Sequence, residues 1–205
     1  ALPILLKLQD LMEQVIASER HRQDYIRILH YIDTYTDIKY WKGHFLDIGV
    51  HQQQEMCLFA NTFANYIGYE ANPYYCNELL NAGYNVENYI ISDNEGQGIL
   101  YVSGTPGYDS LIRSNVQDVI GEVTVPCQTI DSLCKDKLRV DILNIDVEGH
   151  DGNVILGARQ TIEKHKPLIV IEHLPDYLKP WLMSQGYILT QDQDWFCIQG
   201  EKNDY

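Results

Sequence analysis

The chain has 205 residues, 45% of them hydrophobic, enough to bury one sizeable core within the ordinary size of a single domain. Lys and Arg total 15 against 29 Asp and Glu, a formal charge of −14, which repels polyphosphate backbones and anionic lipid surfaces and so excludes nucleic acid as a partner. Cys57, Cys76, Cys127, Cys134 and Cys197 are odd in number and scattered; with no C-x-x-C pair they suggest neither a disulfide framework nor a zinc site and read as reduced, buried thiols.

The opening run Ala1 to Leu6 is apolar, but Lys7, Asp10 and Glu13 interrupt it well short of the roughly 20 residues a membrane span needs. With no longer apolar run elsewhere, a cytoplasmic protein outside the membrane is expected. Leu5, Leu8, Met12, Val15 and Ile16, then Ile26, Leu29 and Ile32, recur at helical spacing and predict an N-terminal helical cap over residues 1–42. Tyr31, Tyr35, Tyr40 and Trp41 cluster where that cap joins the rest, as interdomain packing or as an aromatic platform for an acceptor.

From residue 43 to 205 short apolar runs alternate with helical stretches, the texture of a mostly parallel sheet with crossover helices. Strands are predicted at His44–Gly49, Tyr66–Ala71 and Val86–Ser92, with helices at about Gln52–Phe63 and opening at Pro73. Asp93-Asn94-Glu95-Gly96 predicts a hairpin turn into a strand at Gly98–Ser103, followed by a Gly-rich loop to Asn115. Glu122–Cys127 alternates like an edge strand. Val140–Asp146 reads as a central strand buried on both faces. A helix at about Gly152–His165, a strand at Leu168–Glu172, a short helix near Tyr177–Gln185 and an antiparallel pair, Tyr187–Thr190 with Trp195–Gln199, complete the chain.

Open α/β sheets bind ligands at the carboxyl ends of their strands, and four such ends are polar: Asp47-Ile48-Gly49, Tyr69-Glu70-Ala71-Asn72-Pro73, Ile91-Ser92-Asp93 and Asn144 to Gly149. A glycine after the first strand admits close approach of a ligand, and an acid ending the second can accept both hydroxyls of a ribose. Together these describe an adenosine site. A dinucleotide fold would carry Gly-x-Gly-x-x-Gly around Gly49, where this chain has Val50, His51 and Gln52 to Gln54, which disfavours NAD and FAD.

The ordered set Phe45-Leu46-Asp47-Ile48-Gly49, Glu70-x-Asn72-Pro73, Thr129-Ile130-Asp131-Ser132-Leu133, Ile145-Asp146-Val147-Glu148-Gly149, Leu156-Gly157-Ala158 and Pro167 to Glu172 resembles the FkbM-type methyltransferases over roughly Gly43 to His173. The resemblance implies a Rossmann-like class I methyltransferase fold: a mostly parallel seven-stranded sheet with a C-terminal antiparallel hairpin. It also implies S-adenosyl-L-methionine as methyl donor and a hydroxyl of a small molecule or glycan as acceptor, with oligomeric state left open. Carried over by position, Asp47 and Gly49 would line the methionine part, Glu70 the ribose, Asn72 and Ser92 with Asp93 the adenine, and Asp146 the sulfonium. The family pattern D-x-G-A-N-x-G is altered here to Val50, His51 and Gln53, and Asn144 and Asp151 stand where Lys and Glu are expected. His51 and Gln52 to Gln54 would either supply new donors to the cofactor's carboxylate or fill the pocket of a domain that serves only binding or assembly.

Each candidate also has a plain structural reading. Glu70 and Asn72-Pro73 make a good helix opening, and Asp146, Glu148 and Asp151 would favour the dipole of the following helix. A hydroxyl acceptor needs a base to take its proton, for which His150 and His173 are the candidates beside Asp146; either can be a loop histidine. Tyr108, Asp109 and Ser110 lie in the Gly-rich loop, as an acceptor-facing segment or as an ordinary loop. No spacing demands a metal, and none is expected.

Overall fold

The computed structural model describes residues 43–51, 65–135 and 138–199. The predicted N-terminal cap, its aromatic cluster and the helix at 52–63 with its glutamine run lie outside the described residues. Seven strands form the main sheet: β1 (His44–Ile48), β2 (Tyr66–Tyr69), β3 (Val86–Glu87), β7 (Val140–Ile145), β8 (Leu168–Ile171), β9 (Tyr187–Gln191) and β10 (Trp195–Gln199). Their order is β3-β2-β1-β7-β8-β10-β9. All neighbours from β3 to β8 run parallel, while β10 is antiparallel to both β8 and β9. This is the mixed α/β sheet that the alternation of short apolar and helical stretches predicts, closing hairpin included. The central strands β7 and β8 read Val-Asp-Ile-Leu-Asn-Ile and Leu-Ile-Val-Ile; such near-continuous apolar runs suit strands covered on both faces.

A second sheet departs from the predicted layout. It holds β4 (Ile90–Ile91), β5 (Gly96–Ser103) and β6 (Val119–Gln128) in the order β4-β6-β5. The expected single third strand is therefore two: Val86 and Glu87 join β2, whereas Ile90 and Ile91 pair with Cys127 and Gln128. Asn88 makes the break, its Nδ2 donating to the carbonyls of Glu70 at 2.8 Å and Ala71 at 3.0 Å. The turn at Asp93–Gly96 consequently makes no hairpin between its flanking strands, since both pair with β6. β6, expected at an edge, is the middle strand, because alternation reports one buried face and is blind to how many neighbours bind the backbone.

The single helix expected at Gly152–His165 is also divided, into α3 (Asp151–Leu156) and α4 (Arg159–His165), after α1 (Pro73–Asn81) and α2 (Ile130–Cys134). At the break, a Cβ on Gly157 would lie 1.9 Å from the carbonyl oxygen of Ser92. Asp131 reaches across from α2 to cap α4, accepting from the amides of Gln160 at 3.0 Å and Thr161 at 2.8 Å. Thr129 caps α2 itself through the Ser132 amide. The Thr-Ile-Asp-Ser-Leu and Leu-Gly-Ala motifs are thus two halves of one joint. α5 (Lys179–Ser184) follows a single 3-10 turn at Asp176–Leu178. Among the described residues, no helix is long and apolar enough to cross a membrane.

Asp47 serves this framework. Its side chain is fully buried between strands and accepts from the Tyr66 hydroxyl at 2.8 Å and from Asn144 Nδ2 at 2.9 Å. Burial pushes its carboxyl up to about 6 despite those two donors. Asn144, where the resemblance expects Lys, supplies an amide donor on the neighbouring strand.

Two outcomes follow. Gly157→Ala should destabilise by roughly 3 kcal/mol or more in urea unfolding, because the methyl group meets backbone, while Gly121→Ala, where a Cβ would meet nothing within 4 Å, should change stability by less than about 0.5 kcal/mol. Asp47, with its folded pKa raised, contributes stability that is full below its unfolded value and is lost as pH rises through about 6. Asp47→Asn, whose amide can be satisfied by a rotated Tyr66 hydroxyl and by Asn144, should therefore remove on the order of 2–3 kcal/mol of the decline between pH 4 and 7. Urea denaturation at pH 4.5, 6 and 7.5 checks it; equal slopes for the two proteins would refute it.

Candidate functional site

A cleft open to solvent runs along the carboxyl ends of β2, β1 and β7, where the parallel order of the sheet places ligand sites. One wall carries Gly49 and His51 after β1 with Glu70 and Ala71 after β2; the opposite wall carries Asp146, Val147, Glu148 and His150 after β7. Tyr69, Tyr89, Ile90, Ile91 and Leu100 give an apolar middle, and Gly107, Asp109, Ser110 and Leu111 close it from the Gly-rich loop.

Gly49 ends β1 with φ of 89°, and a Cβ there would lie 1.8 Å from the carbonyl oxygen of Asp146. The close approach expected of a ligand is thus made first by the protein's own backbone. His51 follows in the left-handed region, with φ of 53°. That conformation is open to Asn and, less often, to His, so histidine, where the resemblance expects asparagine, is compatible with the turn. Its ring stands edge-on to Tyr75 with centroids 4.5 Å apart. Burial lowers the His51 pKa, which keeps the ring neutral, and its Nε2 is buried without a hydrogen-bond partner.

Glu70 is 6% exposed and accepts from two amides, His51 N on one oxygen and Asn72 N on the other, both at 2.6 Å. Burial pushes its carboxyl up to about 7 against the effect of these donors. Asn72 does not reach the cleft. It caps α1 by accepting from the Tyr74 amide, and its Nδ2 donates to Asp109 at 2.7 Å. Asp109 also accepts from the Ser103 amide at 2.8 Å, which fastens the Gly-rich loop beside Glu70.

The opposite wall is acidic. Asp146, Glu148 and Glu172 present carboxylate oxygens within 4.8 Å of one another. Asp146 is solvent-reached yet hemmed in by protein; that enclosure, followed by the charges of Glu172 and Glu148, raises its pKa well above the usual range. Enclosure and the Glu172 charge likewise bring Glu148 to about 7. Ser110 Oγ donates to the Glu148 carbonyl at 3.0 Å, joined by Asn115 Nδ2 at 3.3 Å. His150 lines the cleft with its Nε2 2.8 Å from Ser92 Oγ, and Ser92 lies 3.1 Å from Asp93 Oδ1.

The predicted site residues therefore divide. Gly49, His51, Glu70, Asp146 and His150 meet around one cleft. Asp47 is behind the sheet ends and Asn72 beneath the loop. Ser92 is buried and backs His150, and Asp93 is exposed. His173 stands outside the cleft lining with a largely exposed side chain, its Nδ1 3.2 Å from Glu172. Glu172 was given no role from sequence, although an acid ending the strand beside that of Asp146 is the signal that could have found it. Asp109 and Ser110 line the cleft, whereas Tyr108 is exposed.

Comparison with known proteins accords with this geometry. The methyltransferase FkbM domain family matches residues 41–189. A comparison with curated protein sequences finds no match. Among solved structures, the chain is similar to a methyltransferase FkbM from Methylobacillus flagellatus KT, at 14% identity and a TM-score of 0.51, covering 96% of this chain and 58% of that one. A candidate caffeoyl-CoA O-methyltransferase from Staphylococcus aureus is similar at 13% identity and a TM-score of 0.46, with 96% and 92% covered. The chain thus spans little more than half of the Methylobacillus protein, and the likeness at this identity is one of fold. With the family match extending over most of its length, the chain belongs to the methyltransferase FkbM domain family.

Proposed function

We propose that the cleft binds S-adenosylmethionine and that the protein transfers its methyl group to a hydroxyl of a small metabolite or glycan. The observation that carries this reading is that Glu70 and Asp146, which follow the strands on either side of β1, line one cleft together with the glycine after β1. A bound S-adenosylmethionine supplies an electrophilic methyl group on a positively charged sulfur.

The residues present fit it. Each Glu70 oxygen already accepts one amide and keeps a further lone pair for a ribose hydroxyl. The unpaired Nε2 of neutral His51 is a hydrogen-bond group for the amino-acid end, in a loop that has lost the family's second glycine. Asp146 and Glu148 favour a cationic ligand electrostatically. If Ser92 donates its proton to Asp93, its Oγ accepts from His150 Nε2–H, which leaves Nδ1 with the lone pair that receives the acceptor's proton. Orientation of donor and acceptor provides most of the rate in such a displacement. His173, outside the cleft lining, takes no part in the chemistry on this reading. A reducing, cytoplasmic setting is part of the same proposal, supported by Cys76, Cys127, Cys134 and Cys197 all being free and buried.

Isothermal calorimetry with S-adenosylhomocysteine provides the test. Stoichiometric binding is expected, and Glu70→Gln, with its fold checked by circular dichroism, should weaken it by roughly 10- to 100-fold, the loss of a charge-assisted hydrogen bond. Absence of binding by the unaltered chain would assign the domain to a binding or assembly role instead.

A further inference from the structure

Among the described residues, the cleft is lined by four acids and by no lysine or arginine. Glu70 with Asp109 and Asp146 with Glu148 supply the acids, and His51 and His150 are the basic side chains of the lining. Burial lowers the pKa of both rings, which keeps them neutral. The sequence accounts for the missing cations: residues 43–112, which supply every lining position up to Leu111, contain no Lys or Arg. Arg113, the next in the chain, donates to the Val116 carbonyl at 3.1 Å. Arg139, paired with Asp141, and Lys164 and Lys166, at the close of α4, lie where the chain enters β7 and β8, at the opposite edge of the sheet from the cleft.

The backbone does not make up for them. Anions are also held by free amides, above all at helix amino ends. Here the amides of His51 and Asn72 are both taken by Glu70, and those of Gly49, Asp146 and His150 by the carbonyls of Tyr69, Ile48 and Val147. α1, which begins beside Glu70, opens on Pro73, which has no N–H, and its Tyr74 amide is capped by Asn72. α3 carries Asp151 in its own first turn. The middle of the cleft is apolar, through Tyr89, Ile90, Ile91, Leu100 and Leu111.

Resting on the methyl-transfer reading, we propose that the acceptor is a hydroxyl compound carrying no phosphate or carboxylate, so that sugar phosphates, nucleotide-linked sugars and coenzyme A thioesters are excluded. Recognition of a phosphate or carboxylate takes the fork of an arginine or the point charge of a lysine. Without either, an anion entering this cleft gives up its water among acids, with like charge beside it and no partner. An acceptor without an anionic group meets no such cost. Its body packs on the apolar middle, and its hydroxyl groups have carboxylate oxygens to donate to on both sides. The overall charge of −14 extends the same discrimination to the approach, since it repels anions before contact.

The test divides a metabolite extract, from source cells lacking the gene, into the fraction retained by an anion exchanger and the fraction that passes through. Each is incubated with the full chain and S-adenosylmethionine bearing a trideuterated methyl group, and labelled products are sought by mass spectrometry. Label is expected in the unretained fraction alone. Label in the retained, anionic fraction would overturn the exclusion, and label in neither would remove the methyl-transfer reading and the exclusion with it. Calorimetry gives a second readout that needs no acceptor. Adenosine and adenosine 5′-phosphate differ at the carbon that bears sulfur in the donor, so on the same reading the phosphate is delivered beside Asp146. It should bind at least tenfold more weakly than adenosine, and the gap should narrow in Glu148→Gln and when salt is raised from about 0.05 to about 0.5 M. Equal affinities, or a gap that salt leaves unchanged, would overturn the electrostatic exclusion, whereas failure of adenosine and S-adenosylhomocysteine alike to bind would remove the donor site on which it rests.

Discussion

Everything in the site depends on how closely two strand ends approach each other. Gly49 leaves β1 directly against the carbonyl of Asp146, at a separation that excludes any side chain. The amide of Asp146 in turn donates to the Ile48 carbonyl at 3.0 Å, so the two chains leave the sheet as a fixed pair. That pairing aims His51 toward Glu70 and sends Asp146 to the opposite wall. A side chain at position 49 would have to separate the strands and would move both walls together, which makes this glycine an element of the site without any need for it to touch a ligand.

The second organising constraint is electrostatic. Asp47, Glu70 and Asp151 are all buried, and each is held above the ordinary carboxylate range chiefly by loss of water. Two of them are answered differently: Asp47 by two side-chain donors and Glu70 by two backbone amides. The first arrangement stabilises a sheet junction and the second a left-handed turn. The acids lining the cleft give it a potential that favours cationic ligands and disfavours polyanions, in keeping with the overall charge of −14.

The parallel order of the main sheet was legible because it is written in local patterns: apolar runs of strand length, helical spacing, and acids at strand ends. The second sheet was not. Val86–Glu87 and Ile90–Ile91 look continuous in sequence, and only the long-range bonds of Asn88 to Glu70 and Ala71 divide them. The break in the helix at Gly157 likewise depends on Ser92, which sequence periodicity cannot bring near. In the site, glycine and acid positions were readable from their places after strands, whereas the function of each was not. Asp47 had the right position for a ligand residue and is instead satisfied by Tyr66 and Asn144. His51, conspicuous as a departure, stands in a left-handed turn that asparagine and histidine can both adopt.

The loop that covers the cleft is tied at two distant points. Asp109 is bound to Asn72, beside the wall of Glu70, and Ser110 is bound to the backbone of Glu148 on the other wall. Adjacent residues thus clasp opposite banks, and a peptide unit cannot pivot away from one while staying seated on the other. Any outward movement of this loop has therefore to break both ties, the one to Asn72 and the one to the backbone of Glu148.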